Sequence, residues 1–366
     1  MRIAINARTL DYPSGGPKEY LLGLTRALLD LGGHELLLYY PHESHLRTFP
    51  EATEKVLPVR NRLLFDWLAL PRALGRDRPD VILFPCSNMP PGIPCPAVVT
   101  MLDLGYFHPT LRMYKRGDTL YMRRFIRYSA RRAERLLAIS EHTRADVLRL
   151  TRARPQQVTV TPLACDPLYK KSAPPGAVTA FTRAHGLPRP YIVYTGNISP
   201  RKNLTTLLAA LPRAGDRLAC DLAVTGGLAW SEDFTNTVNQ MGLQDRVRRL
   251  GHVARSEMPL LYQGATALAF PSLFEGFGLP VLEAQASGTP VVCAAATSLP
   301  EVAGDGAVLV PPTDADAWAE ALVRVAGDAT LRQQLIERGR ANEARFTWRR
   351  TARLTLDALE AAATRP

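Results

Sequence analysis

The stretch best equipped for chemistry runs from Phe270 to Gly288. Two acids, Glu275 and Glu283, stand either side of a glycine loop, Gly276-Phe277-Gly278, followed by Leu279 and Pro280. An apolar run ends at Phe270, so a strand is expected to stop there. Pro280 suits the first turn of a helix, where its missing N–H costs nothing, and Gly288 suits the helix stop. A strand, a glycine loop and a helix start in that order bring backbone amides and a positive helix end to one place, which makes an anion site. A carboxylate there would repel phosphate and is better employed accepting hydrogen bonds from hydroxyls. Two carboxylates flanking an anion site fit a ligand with a hydroxyl-rich group on each side of a diphosphate, which describes a nucleotide-sugar.

These residues need a scaffold that ends strands in loops at one edge. Apolar runs at Ile3–Ile5, Leu36–Tyr40, Val81–Phe84, Ala97–Met101, Leu136–Ile139 and Val158–Val160 read as strands. They are continuous rather than alternating, as strands buried on both faces are. Leu21, Leu24, Leu28 and Leu31 recur at helical spacing before Gly32-Gly33. Strands and helices in alternation imply a parallel sheet covered by helices. Residues 161–190 are rich in proline and glycine, and the alternation then restarts at Tyr191–Thr195, Leu222–Thr225, Val247–Leu250, Ala267–Phe270, Val291–Cys293 and Ala307–Val310. The expected division is a first domain over 1–165, a linker over 166–189 and a second domain over 190–345. Ligands in such sheets bind beyond the carboxyl ends of the strands.

The chain of 366 residues carries 45 Lys and Arg against 34 Asp and Glu, a net charge of +11. That balance favours acidic partners without choosing among them. The five cysteines form no C-x-x-C pair, so zinc and dithiol redox chemistry lack support. An odd number of scattered thiols fits a reducing cytoplasm. No run approaches the ~20 apolar residues of a membrane span. From Arg112 to Arg135 the chain is densely basic: Arg124, Arg127, Arg131 and Arg135 fall on one helical stripe, with Tyr121, Phe125 and Tyr128 beside it. This fits an anionic membrane surface on the inner face of the membrane, and equally a core-facing aromatic edge with a solvated arginine face. Nucleic acid is not expected, because no helix-turn-helix, zinc or base-stacking motif accompanies the stripe.

The Phe270–Gly288 segment resembles the E-x7-E signature of family 4 of the retaining glycosyltransferases, which have the GT-B fold. The likeness extends along the chain: Gly15-Gly16-Pro17-Lys18-Glu19-Tyr20 is similar to the glycine loop after the first strand. Ala138-Ile139-Ser140-Glu141-His142-Thr143 is similar to the segment before an acceptor-domain helix. Thr195-Gly196-Asn197-Ile198-Ser199-Pro200-Arg201-Lys202-Asn203 resembles the diphosphate loop, and Gly251-His252-Val253 the base-contacting turn. Phe346-Thr347-Trp348 resembles the entry to a last helix, 346–366, which in that fold returns to the first domain. The resemblance implies two Rossmann-like domains with parallel sheets facing a cleft. It further implies transfer of a hexosyl, mannose-like group from a UDP- or GDP-linked sugar to a hydroxyl of a glycan or lipid-linked acceptor, with no metal and no cofactor beyond the donor itself. Glu275 would contact the sugar, Gly276, Phe277, Gly278 and Leu279 would offer amides, and Glu283 would hold the ribose. Lys202 and Arg201 would neutralise the diphosphate, Val253 would meet the base through its backbone, and Gly16 would approach the phosphates.

The departures fall at two places. The position that directly follows the strand glycine, commonly arginine in the family, is Asn197, leaving Arg201 as the neighbouring cation. A T-x-H-D segment reads Thr100-Met101-Leu102-Asp103, so Leu102 replaces a histidine. Asp103 and His108 are the acceptor-side groups that would substitute. The alternatives are a non-catalytic nucleotide-sugar-binding scaffold, or a phosphorylase or epimerase on the same fold. A dehydrogenase is disfavoured because the loop after the first strand lacks G-x-G-x-x-G. Asp314 and Asp316 look like a metal D-x-D, but they precede Trp318 and a helical pattern, so capping is expected.

Overall fold

The computed structural model describes residues 1–12, 15–108, 116–187, 190–227 and 231–364. By their contacts these residues form two compact units, one of 1–164 with 347–364, the other of 165–346. Each contains one parallel sheet.

The first sheet has seven strands: β1 (Arg2–Asn6), β2 (Glu35–Tyr40), β3 (Thr53–Val56), β4 (Val81–Phe84), β5 (Ala97–Met101), β6 (Arg135–Ala138) and β7 (Val158–Val160). Their order is β3-β2-β1-β4-β5-β6-β7. Every pairing is parallel, as with Ile3 opposite Leu36 on one side and Val81 on the other. The central strands are almost wholly buried, which is why their sequences are unbroken apolar runs. β3 was not expected from the sequence. Its residues Thr-Glu-Lys-Val carry no apolar run because it is an edge strand, and Glu54 there accepts the Tyr40 hydroxyl proton at 2.9 Å.

The helix Gly16–Leu31 buries Tyr20, Leu21, Leu24 and Leu28 and ends at Gly32, whose φ of +66° suits glycine. The last helix, Trp348–Ala363, is capped by Thr347, packs on Gly16–Leu31 and belongs to this first unit. The Trp348 ring occupies the space over Gly23, where a Cβ would lie 2.2 Å from Cε2.

The second sheet has six strands: β8 (Tyr191–Thr195), β9 (Asp221–Thr225), β10 (Val247–Gly251), β11 (Ala267–Phe270), β12 (Val291–Ala294) and β13 (Ala307–Val310), ordered β10-β9-β8-β11-β12-β13. The order reverses between β8 and β11, and that switch point is where an open α/β sheet makes its crevice. Where a linker was expected, 166–187 holds the short turn Pro167–Lys170 and the helix Ala177–Ala184, and it groups with the second unit. The prolines and glycines read as breaks are the boundaries of that helix: Pro174, Pro175 and Gly176 precede it and Gly186 follows it. Asp314 accepts the Ala317 amide as the cap of the helix Ala315–Gly327, and Asp316 pairs with Arg213 at 2.8 Å.

Gly23→Ala separates two opposing effects. Alanine in a helix interior is ordinarily favoured by up to ~1 kcal/mol, whereas overpacking against Trp348 costs about 1–3 kcal/mol. Urea denaturation should show a net loss of stability, and recovery of stability in Gly23→Ala combined with Trp348→Leu.

Candidate active site

β8 and β11 are neighbours, and the loops that leave their carboxyl ends carry the two strongest motifs. After β8 the chain passes Gly196, whose φ is +131°, and closes the short turn Pro200–Lys202. Asn203 follows in the left-handed region at φ +55°. Its buried side chain donates to the carbonyls of Pro271 at 3.1 Å and Pro312 at 2.6 Å. The Leu273 amide donates in turn to the Arg201 carbonyl at 2.8 Å. Both loops are therefore stitched together by the Asn203 side chain and one backbone bond. Asn203 belonged to the recognised motif, but only the structure reveals its positioning role.

The stitching places Lys202 Nζ 2.6 Å from Glu275 Oε1. Arg201 Nη1 stands 3.8 Å from Glu275 Oε2. Ser272 donates its hydroxyl to Oε1 at 2.5 Å. Lys202 also lies over the Phe270 ring, 4.9 Å from its centroid, and its stem runs along Gly196. Glu275 is only 7% exposed. Burial on its own would push its pKa up, but the Lys202 and Arg201 charges and the hydrogen bonds from Lys202 and Ser272 outweigh it and hold the carboxyl below its ordinary 4.5. Glu275 is thus ionised at neutral pH, and Lys202 is held in one place.

Thr297 and Ser298 fix the glycine loop from below. The Glu275 amide donates to Thr297 Oγ1 at 3.0 Å, and the Ser298 hydroxyl is shared between the carbonyls of Glu275 at 2.9 Å and Phe277 at 2.8 Å. Phe277 is buried and packs edge-on against Phe346, so only its backbone is left for a ligand. Gly278 has φ +109°, and a Cβ there would lie 2.6 Å from Leu299. The helix Leu279–Ala286 starts immediately after it. Glu283, half-buried in the second turn of that helix, accepts the Tyr262 hydroxyl proton at 3.0 Å. Tyr262 is fully buried, and burial first and Glu283 second raise its pKa well above ordinary, so it stays a donor. Thr195 Oγ1 lies 3.2 Å from the same hydroxyl. Since that hydroxyl's one proton points at Glu283, Thr195 donates to it. Tyr262, Thr297 and Ser298 were missed in the sequence, where isolated hydroxyls carry no signal, and Thr195 and Ser272 lay inside recognised segments with no role assigned.

Asn197 is exposed and turns its side-chain carbonyl to the Gly227 amide at 3.3 Å, bracing the loop after β9. Gly226 there has φ +143°, and a Cβ would collide with the Gly196 carbonyl at 1.9 Å. Val253 is buried after β10.

Gly16, Asp103 and His108 belong to the first unit. Gly16 begins its helix with nothing within 4 Å of a would-be Cβ. Asp103 accepts the Gly105 amide at 2.9 Å, forming a local turn. His108 Nε2 lies 3.3 Å from Asp146 Oδ2, a buried acid that Arg149 and His142 also approach. Leu102 donates its amide to Ser87 Oγ at 3.1 Å. Ser140 caps the helix Glu141–Thr151. Of the basic segment from 112 to 135, 112–115 lies outside the described residues. The rest forms the helix Arg116–Arg132 and β6.

Comparison with known proteins agrees with this architecture. The model for glycosyl transferases group 1 matches residues 180–342, and that for glycosyltransferase family 4 matches residues 14–167. O-antigen chain mannosyltransferase B of Escherichia coli is 32% identical over 267 residues, 72% of this chain and 69% of that protein. The MMP alpha-(1->4)-mannosyltransferase of Mycolicibacterium hassiacum is 30% identical over 241 residues, 64% of this chain and 56% of that one. The structure of Anabaena Alr3699/HepE in complex with UDP and glucose superposes with a TM-score of 0.80 at 18% identity, covering 99% of this chain and 100% of that one. The chain belongs to the family 4, group 1 glycosyltransferases, and its fold is GT-B.

The Glu275 ion cluster has a pH signature. Its folded pKa is depressed, so its contribution to stability is present above the unfolded value and is lost as pH falls through the folded one. Glu275→Gln should be less stable than wild type at pH 7, and the gap should narrow steadily through the acid range in denaturation curves taken at a series of pH values. A gap that does not change with pH would mean that the charge contributes nothing.

Proposed function

We propose that this glycosyltransferase moves a hexosyl, mannose-like group from a nucleotide-diphosphate-sugar to a hydroxyl of a glycan or lipid-linked acceptor, with retention at the anomeric carbon. The observation that carries this reading is the pinned Lys202–Glu275–Arg201 cluster at the β8/β11 switch point, beside the Gly276–Gly278 loop and the start of Leu279–Ala286. Two relatives that are mannosyltransferases and a structural neighbour holding UDP and glucose point the same way.

In this reading Lys202, fixed by Glu275, sets its ammonium charge against the diphosphate. Arg201 and the helix start add positive potential where charge builds as the phosphate departs, the effect that dominates such transfers. The Gly276, Phe277, Gly278 and Leu279 backbone faces the sugar and phosphates. Glu275 Oε2, engaged by the longer Arg201 contact, accepts a sugar hydroxyl, while Glu283, oriented by Tyr262, accepts the ribose hydroxyls. Val253 meets the base through its backbone, and Asn197 holds the neighbouring loop in shape. The acceptor oxygen bonds to the anomeric carbon as the carbon–phosphate oxygen bond breaks, and the leaving phosphate takes the acceptor proton. Front-face attack of this kind retains configuration and needs no base at Leu102, so Asp103 and His108 need supply none. No cofactor is proposed beyond the donor. The two cations and the helix start supply the charge a metal would otherwise bring.

Purified protein incubated with UDP- and GDP-hexoses should hydrolyse one donor slowly and transfer it faster when a lysate acceptor is added. Proton NMR of the product should show the donor's anomeric configuration kept. Lys202→Ala should cut turnover by about 10²–10³, the size of a lost electrostatic donor. Glu283→Ala should act mainly on the donor KM. Binding without turnover in the wild type would favour a non-catalytic scaffold, and an altered free donor would favour an epimerase.

Tyr262→Phe removes one hydrogen bond to a charged acceptor, worth about 1.5–3 kcal/mol. Donor KM should rise by about tenfold or more with kcat little changed. An unchanged KM would remove Glu283 from the donor site.

A further inference from the structure

The first sheet has a switch point of its own. Its order reverses between β1 and β4, so the loops leaving their carboxyl ends border a crevice within the first unit. Arg8, two residues past β1, is 6% exposed and lies beside Asp66 and Cys86. Its Nε stands 3.3 Å from Asp66 Oδ1 yet donates no hydrogen bond. Burial opposes the Arg8 charge, but Cys86, Asp66 and Tyr12 outweigh it. Burial also raises the Cys86 thiol, so Asp66 is the counter-charge. Asn6, the last residue of β1, donates to Asp66 Oδ1 at 3.3 Å.

Asp66 reaches that position through an irregular turn. Phe65–Ala69 is π-helical, and the Leu70 amide donates to the Phe65 carbonyl five residues back. Asp66 is turned inside while Leu64, Trp67 and Leu68 are left exposed, the reverse of what an ordinary amphipathic helix does with an acid and three apolar residues. Wide turns of this kind occur frequently at functional sites. A buried ion pair is seldom more stabilising than an apolar pair of similar size, so stability alone does not account for the arrangement. Tyr12 adjoins Arg8, and Tyr106 neighbours Asp103, Arg62 and Tyr12. Burial first and Asp103 second raise the Tyr106 pKa, so its hydroxyl stays a donor.

We propose that Arg8 and Asp66, together with Tyr12 and Tyr106, bind a neutral, hydroxyl-rich sugar residue, the acceptor end of a glycan. A sugar hydroxyl both donates and accepts, and the pair presents a cationic donor and an anionic acceptor side by side. A carboxylate 3.3 Å from the guanidinium repels phosphate, so the group held here is a sugar ring and not an anionic head. Calling that sugar the acceptor rests on the transfer reaction proposed above, whereas its binding does not.

Saturation-transfer NMR on the full chain tests this with methyl α-mannoside, α-glucoside and α-galactoside as probes and inorganic phosphate as competitor. At least one methyl hexoside should receive saturation on its ring protons, and excess phosphate should not displace it. Arg8→Met/Asp66→Leu removes both charges together, a change that buried pairs tolerate. It should keep a cooperative urea transition and weaken the hexoside at least tenfold, as expected when hydrogen bonds to charged groups are lost. Should that variant fail to fold, Tyr12→Phe/Tyr106→Phe, which keeps both rings, should still weaken the hexoside about fivefold or more. No hexoside bound, displacement by phosphate, or wild-type affinity in a folded variant of either kind would overturn the proposal. Calorimetry with nucleoside diphosphates separates the two readings. Nucleotide binding without hexoside binding sinks this inference alone, and hexoside binding without nucleotide binding sinks the transfer reaction and leaves the sugar site standing.

Discussion

A part-buried lysine and a buried glutamate, 2.6 Å apart, organise the second unit. Neither charge would tolerate that environment alone, because desolvating a single ion costs more than a fold of this size has to spare. Each makes the other affordable, and Ser272, Arg201 and the Phe270 ring add to the compensation. The consequence is an ammonium group that cannot wander. A surface lysine would have to be ordered by an arriving phosphate, whereas Lys202 already stands at the mouth of two strands. Preorganised charge is what makes electrostatic stabilisation effective.

Holding that pair requires two loops to keep register. Asn203 in its left-handed conformation, the backbone bond from Leu273 to Arg201, and the Thr297–Ser298 support each fix one part. The sheet order supplies the rest, since β8 and β11 are distant in sequence and adjacent in space. The crossover that reverses the sheet is therefore also what brings a cation loop and a carboxylate loop together. Tyr262 and Thr195 orient Glu283 by a relay of two hydroxyls.

Much of this was legible in the sequence, for definite reasons. Strands buried on both faces must be apolar throughout, so β4, β5, β8 and β11 stand out with their observed ends. β3 escaped because an edge strand buries one side at most and Thr53–Val56 has no apolar run. The helix Ala177–Ala184 escaped because its flanking prolines and glycines look like a tether, although they are start and stop signals. Glu275 and the glycine loop could be grouped from their residue types, and Lys202 joined them through the family resemblance. Their direct contact could not be seen, since 73 positions separate the two side chains and only the sheet order closes that gap. The supporting hydroxyls were invisible for the same reason: a serine or threonine means little until the carbonyl or carboxylate beside it is known.

The central claim, that Lys202 is fixed to receive a diphosphate, is tested most directly by comparing nucleoside diphosphates with monophosphates. Calorimetric titration with GDP, GMP, UDP and UMP should show the diphosphate of the preferred base binding about tenfold or more tightly than its monophosphate, with that preference largely lost in Lys202→Met. Equal affinity for the two in the wild type, or a preference that survives the substitution, would contradict the account.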